Sequence, residues 1–380
     1  MRITGMETFR VAPRWLFLRL ETDEGLVGWG EPIVEGRAST VQAALREIEK
    51  QVIGIDPLRI EDVWQTLTRT SFYRGGPVFA SVVAGIDQAL WDIVGKFYGA
   101  PVHQLLGGAV RDRARVYAWV GGDHPSEIAD QVHARVEQGF TAVKMNASGP
   151  LTAIDTAAQV TGIVERAQAA RDALGEDGDF ALDFHGRFSP AMSRRVLPLL
   201  EPLLPLFVEE PVVPELAPTT LRSIIESTAI PIATGERAYS RWDFIPLFEA
   251  GIAVAQPDVS HAGGISETRR IAAQAETYGV SLAPHSPLGP IALAASLQID
   301  FATPNFLIQE QSRGIHYNTG WDVLDYLVDG SVFEIVDGSI ARPLGPGLGI
   351  EVDEAAVRAA DTHDWQAPVW RHADGSVAEW

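Results

Sequence analysis

The residues that could do chemistry recur at a regular beat along the chain. Six short apolar runs each end in an ionisable side chain: Leu182-Asp183-Phe184-His185, Phe207-Val208-Glu209-Glu210-Pro211, Ala233-Thr234-Gly235-Glu236, Gln256-Pro257-Asp258, Ala283-Pro284-His285 and Ile308-Gln309-Glu310. If the runs are parallel strands of one closed barrel, all six endings meet at one mouth. Asp183, Glu209 and Glu236 then stand as three carboxylates from neighbouring strands. Without a cation, their repulsion would drive their pKa values up. A hard divalent cation removes the conflict, and all-oxygen ligation suits Mg²⁺ better than Zn²⁺. The chain has no cysteine, so thiolate sites, thiol nucleophiles and disulfides are excluded. Any one of the three acids could instead cap the helix after it. Their common register with the barrel period favours the metal.

The histidines add proton transfer. Asp183 and His185 are two apart, so on a strand both point the same way, one to the metal and the other to a substrate. Asp258 and His285 lie one strand–helix unit apart, hence on adjacent strands. A carboxylate on one imidazole nitrogen fixes the tautomer and raises the basicity of the other. That makes a general-base dyad, with a purely structural Asp–His pair as the alternative. Glu310 faces the same mouth, either as a protonated donor to a developing enediolate or as the partner of an arginine. Lys144, Arg237 and Arg313 are the nearest basic candidates for substrate contact. His261 and His316 lie near strand ends as second-tier polar contacts.

Such side chains need a scaffold. Residues 1–113 read as an α+β unit: a strand meander over 2–30 with the turn Asp23-Glu24-Gly25, then helical spacing over 38–53, 59–70 and 79–98. From residue 114 to 320 the pattern becomes strand–helix. Strands are predicted at 115–119, 141–145, 179–183, 205–209, 231–235, 252–256, 280–284 and 305–309, and helices include 151–173, 189–201 and 264–278. Short runs apolar throughout suit strands covered on both faces. A doubly wound open sheet is the alternative, but no G-x-G-x-x-G follows the first strand. Residues 321–380 lose the beat, are rich in Trp, Pro and Gly, and are expected to pack back on the first unit. With 380 residues the chain exceeds one small core, and its net charge of −20 makes nucleic acid and anionic membranes poor partners. No apolar run reaches the ~18 residues that span a bilayer, and no signal peptide is evident, so the cytoplasm is the expected compartment.

Taken together, these strings resemble the mandelate racemase branch of the enolase superfamily. Further matching stretches are Phe72-Tyr73-Arg74-Gly75-Gly76-Pro77, Gly85-Ile86-Asp87-Gln88-Ala89-Leu90-Trp91-Asp92, Ser260-His261-Ala262-Gly263-Gly264, Ala283 through Pro290, Pro368-Val369-Trp370-Arg371-His372 and Val377-Ala378-Glu379-Trp380. The resemblance implies a modified TIM-type (β/α)7β barrel with an α+β capping domain that the C-terminal segment completes. It implies Mg²⁺ on Asp183, Glu209 and Glu236, His285 backed by Asp258 as the base, His185 as the acid that helps a 3-hydroxyl leave, and Glu310 as a hydrogen-bond donor to the enediolate. It further implies lid loops around Arg14-Trp15 and Tyr73–Gly76, and a homo-oligomer. Racemases and cycloisomerases of this branch often carry Lys-x-Lys on the second barrel strand. Here the string is Lys144-Met145-Asn146, and Asn146 cannot be a base, though it can bind a substrate hydroxyl. The implied reaction is dehydration of a sugar acid, with D-galactonate the first substrate expected. Other aldonic or aldaric acids, an epimerase, and a noncatalytic binding protein are the alternatives.

Overall fold

The computed structural model describes residues 1–216, 219–316, 318 and 320–379; Trp380 of the C-terminal string lies outside the described residues. The chain opens with an antiparallel meander, β1 (Ile3–Val11), β2 (Trp15–Thr22) and β3 (Val27–Gly30). Gly25, in the left-handed region, supplies the β2–β3 turn. Three helices follow, α1 (Ala38–Val52), α2 (Ile60–Arg69) and α3 (Pro77–Tyr98), then the short α4 (Val102–Leu105). Helix α1 buries Val41, Leu45, Ile48 and Val52, a stripe at helical spacing. Helix α3 starts with Pro77 in its first turn and stops at the left-handed Gly99.

Helix α3 corrects the reading that no apolar stretch reaches membrane-spanning length. It is long and apolar enough by composition, but 83% of its apolar window is buried inside the protein. It is a core helix, apolar because protein surrounds it on most sides. Its contact with β3 is unusually close. A Cβ on Gly30 would lie 1.9 Å from the Gly85 carbonyl oxygen, and one on Gly28 would lie 2.1 Å from that of Ala89. Gly30→Ala is therefore expected to force strand and helix apart and to cost about 3 kcal/mol or more. Urea unfolding of the purified variant checks this, and wild-type stability would refute the close-packing argument.

After β4 (Arg113–Arg115), seven parallel strands form one sheet in sequence order: β5 (Ala118–Val120), β6 (Ala142–Asn146), β7 (Asp179–Asp183), β8 (Val208–Glu209), β9 (Ile232–Thr234), β10 (Val254–Ala255) and β11 (Ser281–Leu282). The helices between and after them are α5 (Pro125–Glu137), α6 (Ala157–Leu174), α7 (Pro190–Leu200), α8 (Thr219–Ile225), α9 (Arg241–Ala250), α10 (Gly264–Thr277) and α11 (Pro290–Ala302). Helix α6 begins at Ala157 rather than 151. Thr156 caps it by accepting from Gln159 N, and Asp155 folds the preceding residues into a turn with Thr152.

The eighth expected strand, 305–309, is not a regular strand. It closes the barrel by isolated bridges, Leu282 to Phe306 on one side and Val116 to Gln309 on the other. Leu307 N donates to Leu282 O (2.7 Å) and Gln309 N to Arg115 O (2.9 Å). The segment is anchored at both flanks at too few points for a continuous ladder. Closure shows in the interior, where Tyr117, Ala142, Ala181, Phe207, Ala233, Val254, Ala283 and Ile308 form a separate apolar cluster. Each of the eight predicted strands contributes one member to this plug, the filled core of a (β/α)7β barrel rather than a pore.

The remaining elements are β12 (Ile335–Val336), β13 (Ser339–Ala341) and α12 (Glu354–Ala360); β13 pairs with β4. This last stretch lies against the meander. The Tyr326 hydroxyl donates to Ala12 O (2.8 Å), its ring meets Trp15 and Phe17 edge-on, and Arg358 pairs with Glu7 (2.9 Å).

Candidate active site

Asp183 and Glu209 are the last residues of β7 and β8 and are paired in register, and Glu236 follows β9 by two residues. One oxygen from each carboxylate lies within 4.8 Å of the others. Asp183 Oδ2, Glu209 Oε1 and Glu236 Oε2 are all buried without a hydrogen-bond partner among the described residues. Burial, reinforced by Asp183, pushes the Glu209 pKa up. Burial and the neighbouring Glu210 push Glu236 well up. Three orphaned carboxylate oxygens facing one point are costly unless a cation meets them. The donor set is all oxygen, which fits a hard divalent ion such as Mg²⁺.

Lys144 supplies a partial counter-charge from below. Its Nζ donates to Glu209 Oε2 (2.7 Å), and lies 3.0 Å from Glu310 Oε1 and 3.6 Å from Asp183 Oδ2. It also sits over the Trp119 ring at 4.7 Å. Burial opposes its charge, but Glu209 and Glu310 outweigh burial and hold it protonated. Expected as a substrate contact, Lys144 is fully buried beneath the carboxylates and is not part of the cavity wall.

Asp258 and His285 come together as a pair. Asp258 Oδ2 lies 2.7 Å from His285 Nδ1, and Asp258 Oδ1 accepts from Ser260 N (2.6 Å) and His261 N (3.1 Å). The proton of the pair therefore sits on Nδ1. Nε2 turns to the mouth, 3.4 Å from Glu236 Oε2 and 3.9 Å from Glu310 Oε2. Burial opposes a charge on His285, yet Glu236, Glu310 and Asp258 raise its pKa to about 10.

His185 stands four strands away in the sheet order, across the mouth. Strand β7 ends at Asp183, and His185 adopts a left-handed φ of 49°. The expected two-residue pleat is thus replaced by a turn, in which His185 N donates to Asp183 Oδ1 (2.8 Å) and Nε2 lies 3.2 Å from Asp183 Oδ2. The ring stacks on Trp119 with 6.3 Å between centroids. Burial and the nearby Arg187 push its pKa down to about 3.

Glu310 is surrounded by donors. Every partner is a donor: Trp119 Nε1 (2.7 Å) and Lys144 to Oε1, Ser286 N (2.9 Å) to Oε2. Burial alone would raise its pKa, but Lys144 and His285 bring it to about 2. Both Glu310 oxygens thus accept hydrogen bonds, and Lys144 and His285 favour its ionised form. A donor role would require it first to gain a proton.

Of these groups, Trp119, His185, Glu236 and His285 line a cavity of about 560 Å³. Asn146, Arg14, Arg237 and His316 of the expected substrate contacts line it, and Asn146 Oδ1 has no hydrogen-bond partner among the described residues. Arg237 is paired with Glu210 (2.6 Å), and Arg14 with Glu35. Tyr73 is 87% exposed and lines a neighbouring cleft with Trp64 and Trp242, so its loop meets the cavity wall only at Pro77. The residue reading missed Trp119, Glu210, Arg187, and Trp365 and Trp370 of the last stretch, all on the cavity wall. Alternation would turn Glu210 away from Glu209, but Glu210 leaves the strand with φ 42°. Such conformations cost about 1–3 kcal/mol and cluster at functional sites. No local signal marks Trp365 and Trp370, which come from the last stretch, outside the strand–helix repeat.

Comparison with known proteins agrees with this geometry. Residues 3–107 match the mandelate racemase / muconate lactonizing enzyme N-terminal domain, and residues 127–356 match the enolase C-terminal domain-like family. The chain is 54% identical to a D-galactonate dehydratase of Variovorax paradoxus and 53% identical to one of Ralstonia pickettii, each alignment covering 100% of both chains. Among solved structures, a candidate galactarate dehydratase from Agrobacterium radiobacter, bound to Na and L-malate, superposes with a TM-score of 0.89 at 32% identity over 100% of both chains. A mandelate racemase/muconate lactonizing enzyme from Jannaschia sp. CCS1 gives 0.88 at 30% identity, covering 96% of this chain and 98% of that one. A capped barrel, an acid triad at its mouth and two matching family domains together make this chain a hydro-lyase of the mandelate racemase branch of the enolase superfamily.

Proposed function

We propose that the chain dehydrates a sugar acid to a 2-keto-3-deoxy acid, with D-galactonate the preferred substrate ahead of other aldonic or aldaric acids. The observation that carries this reading is the placement of His285 and His185 on opposite sides of a mouth where three carboxylates converge, each with a buried oxygen that no hydrogen bond satisfies. Mg²⁺ held by Asp183, Glu209 and Glu236 would bind the substrate carboxylate and stabilise the charge that develops there as the neighbouring proton leaves. With the Glu236 charge that favours a second proton on His285 offset by the cation, Nε2 would be unprotonated and take the α-proton, while Asp258 holds Nδ1–H and stabilises the imidazolium. His185 gives a proton to the departing 3-hydroxyl, so that water leaves and the resulting enol tautomerises. Asn146, Arg14, Arg237 and His316 would read the distal hydroxyls, and Asn146 supports one-base dehydration over two-base racemisation.

In the same reading, residues 1–113 cap the barrel of residues 114–320, and residues 321–380 complete the cap. The enzyme works in the cytoplasm as a homo-oligomer, with no nucleic-acid or membrane partner, in keeping with a net charge of −20.

Purified protein with Mg²⁺ should convert D-galactonate to a product trapped as a semicarbazone, with EDTA abolishing turnover and Mg²⁺ restoring it. Turnover of a different sugar acid would keep the chemistry and move the substrate. No turnover of any aldonic or aldaric acid would overturn the proposal.

A further inference from the structure

The Asp258–His285 pair is one end of a buried polar seam whose other end lies near the N-terminus. Helix α3 lays polar side chains along the segment that carries Asp258. Gln88 Nε2 donates to Ser260 Oγ (3.1 Å) and Val259 O (3.2 Å). Ser81 Oγ lies 2.7 Å from Ser260 O and 2.9 Å from Ile33 O, sharing its one proton between them. Further along, Asp87 accepts from Ser266 N (2.9 Å) and Trp91 Nε1 donates to Ser266 Oγ (2.9 Å). Gly264 fits only because it lacks a side chain, since a Cβ there would lie 2.5 Å from Asp87 Oδ2. Ser260 N then donates to Asp258 Oδ1, the oxygen that His285 does not use.

The same glutamine reaches the segment that carries His285. Gln88 Oε1 accepts from Glu31 N (2.7 Å). The Glu31 carboxylate accepts from Gly289 N (2.7 Å) and Ala292 N (2.9 Å), where the segment carrying His285 enters α11. Glu31, Ser81, Gln88, Ser260 and Asp258 are all fully buried. An apolar contact of equal area would hold the two halves together without fixing their register. A satisfied buried polar network specifies one arrangement, because any slip leaves donors and acceptors unpaired.

We infer that Gln88 and Glu31 are positioning residues for the base: neither lines the cavity, yet together they fix both chain segments that carry the Asp258–His285 pair. The inference rests on His285 being the base. Its consequence is that the first hundred residues do more than cover the barrel, since they set where the proton acceptor stands. A misplacement of about 1 Å can cost on the order of 10²-fold in rate.

The test uses full-length, Mg²⁺-loaded Gln88→Met, which keeps the side-chain volume and removes both hydrogen-bonding ends. The expected result is a kcat lower by about 10–100-fold with KM within about twofold, and α-proton exchange in D₂O reduced by the same factor. In an Asp258→Asn background, Gln88→Met should cost less than about twofold more, because the pair it acts through is already broken. A kcat within about twofold of wild type, or an equal loss in the Asp258→Asn background, would overturn the positioning role. If Gln88→Met does not fold, Ser260→Ala, which removes the hydroxyl that Gln88 meets, carries the same non-additivity expectation. Wild-type protein that neither turns over a sugar acid nor exchanges its α-proton would remove the underlying functional reading. Active wild type with an indifferent Gln88→Met would remove this inference alone.

Discussion

His285→Asn is expected to abolish dehydration and α-proton exchange together, each by about 10⁴-fold, at the upper end of what a general base contributes. Asparagine keeps a polar group of similar reach but has no basic nitrogen that can accept a proton. The contrast is His185→Asn, which should block dehydration to a similar extent while sparing measurable exchange. The two rings stand four strands apart, so the proposed mechanism gives removal of the α-proton and protonation of the leaving hydroxyl to different side chains. Proton NMR of the sugar acid in D₂O, followed in parallel with product formation, reads both steps in one sample. Equal exchange in wild type and His285→Asn would remove His285 as the base. Loss of exchange in His185→Asn as well would mean that the two steps are not separable as assigned.

Lys144→Met should destabilise the metal-free protein by about 3–5 kcal/mol, because it leaves buried carboxylates without their cation. Lys144, Glu209 and Glu310 are each fully buried, so solvent does not screen the loss. The same charge argument predicts a rescue. Mg²⁺, held as proposed, would bring positive charge to the Asp183, Glu209 and Glu236 oxygens, so the stabilisation it adds should be larger in Lys144→Met than in wild type. Urea midpoints measured in EDTA and in saturating Mg²⁺ give both numbers. A Mg²⁺ increment no larger in the variant than in wild type would argue that Lys144 and the acid triad are electrostatically independent, against the 2.7 Å contact between Lys144 and Glu209.

Most of the barrel was legible because its strands carry a strong local pattern. The runs at 141–145 and 179–183 fall within a residue of β6 and β7. The run at 305–309 was read as a strand from the same apolarity, but hydrogen bonding, not apolarity, defines a strand, and this segment meets its neighbours only at isolated bridges. The pairing of Asp258 with His285 followed from their spacing by one unit. The route by which His185 meets Asp183 did not, because φ 49° at His185 is a property of the turn and not of the alternation that predicted it.

The sequence by itself determined which residue types stand at the strand ends and in what order: acids on three consecutive strands, an Asp–His pair on the next two, and Asn146 where a second base would be needed. Those choices are local, and a period of two or of one strand–helix unit exposes them. Tertiary structure alone decided the rest. It buried Lys144 under the carboxylates instead of in the cavity wall, surrounded Glu310 with donors, left Tyr73 outside the cavity, brought Trp365 and Trp370 into it, and ran the seam from Glu31 and Gln88 to the Asp258–His285 pair. Each of these depends on contacts between residues that lie tens to hundreds of positions apart. Such contacts leave no periodic trace in the chain, because burial and charge pairing are properties of the packed volume rather than of neighbours along the backbone.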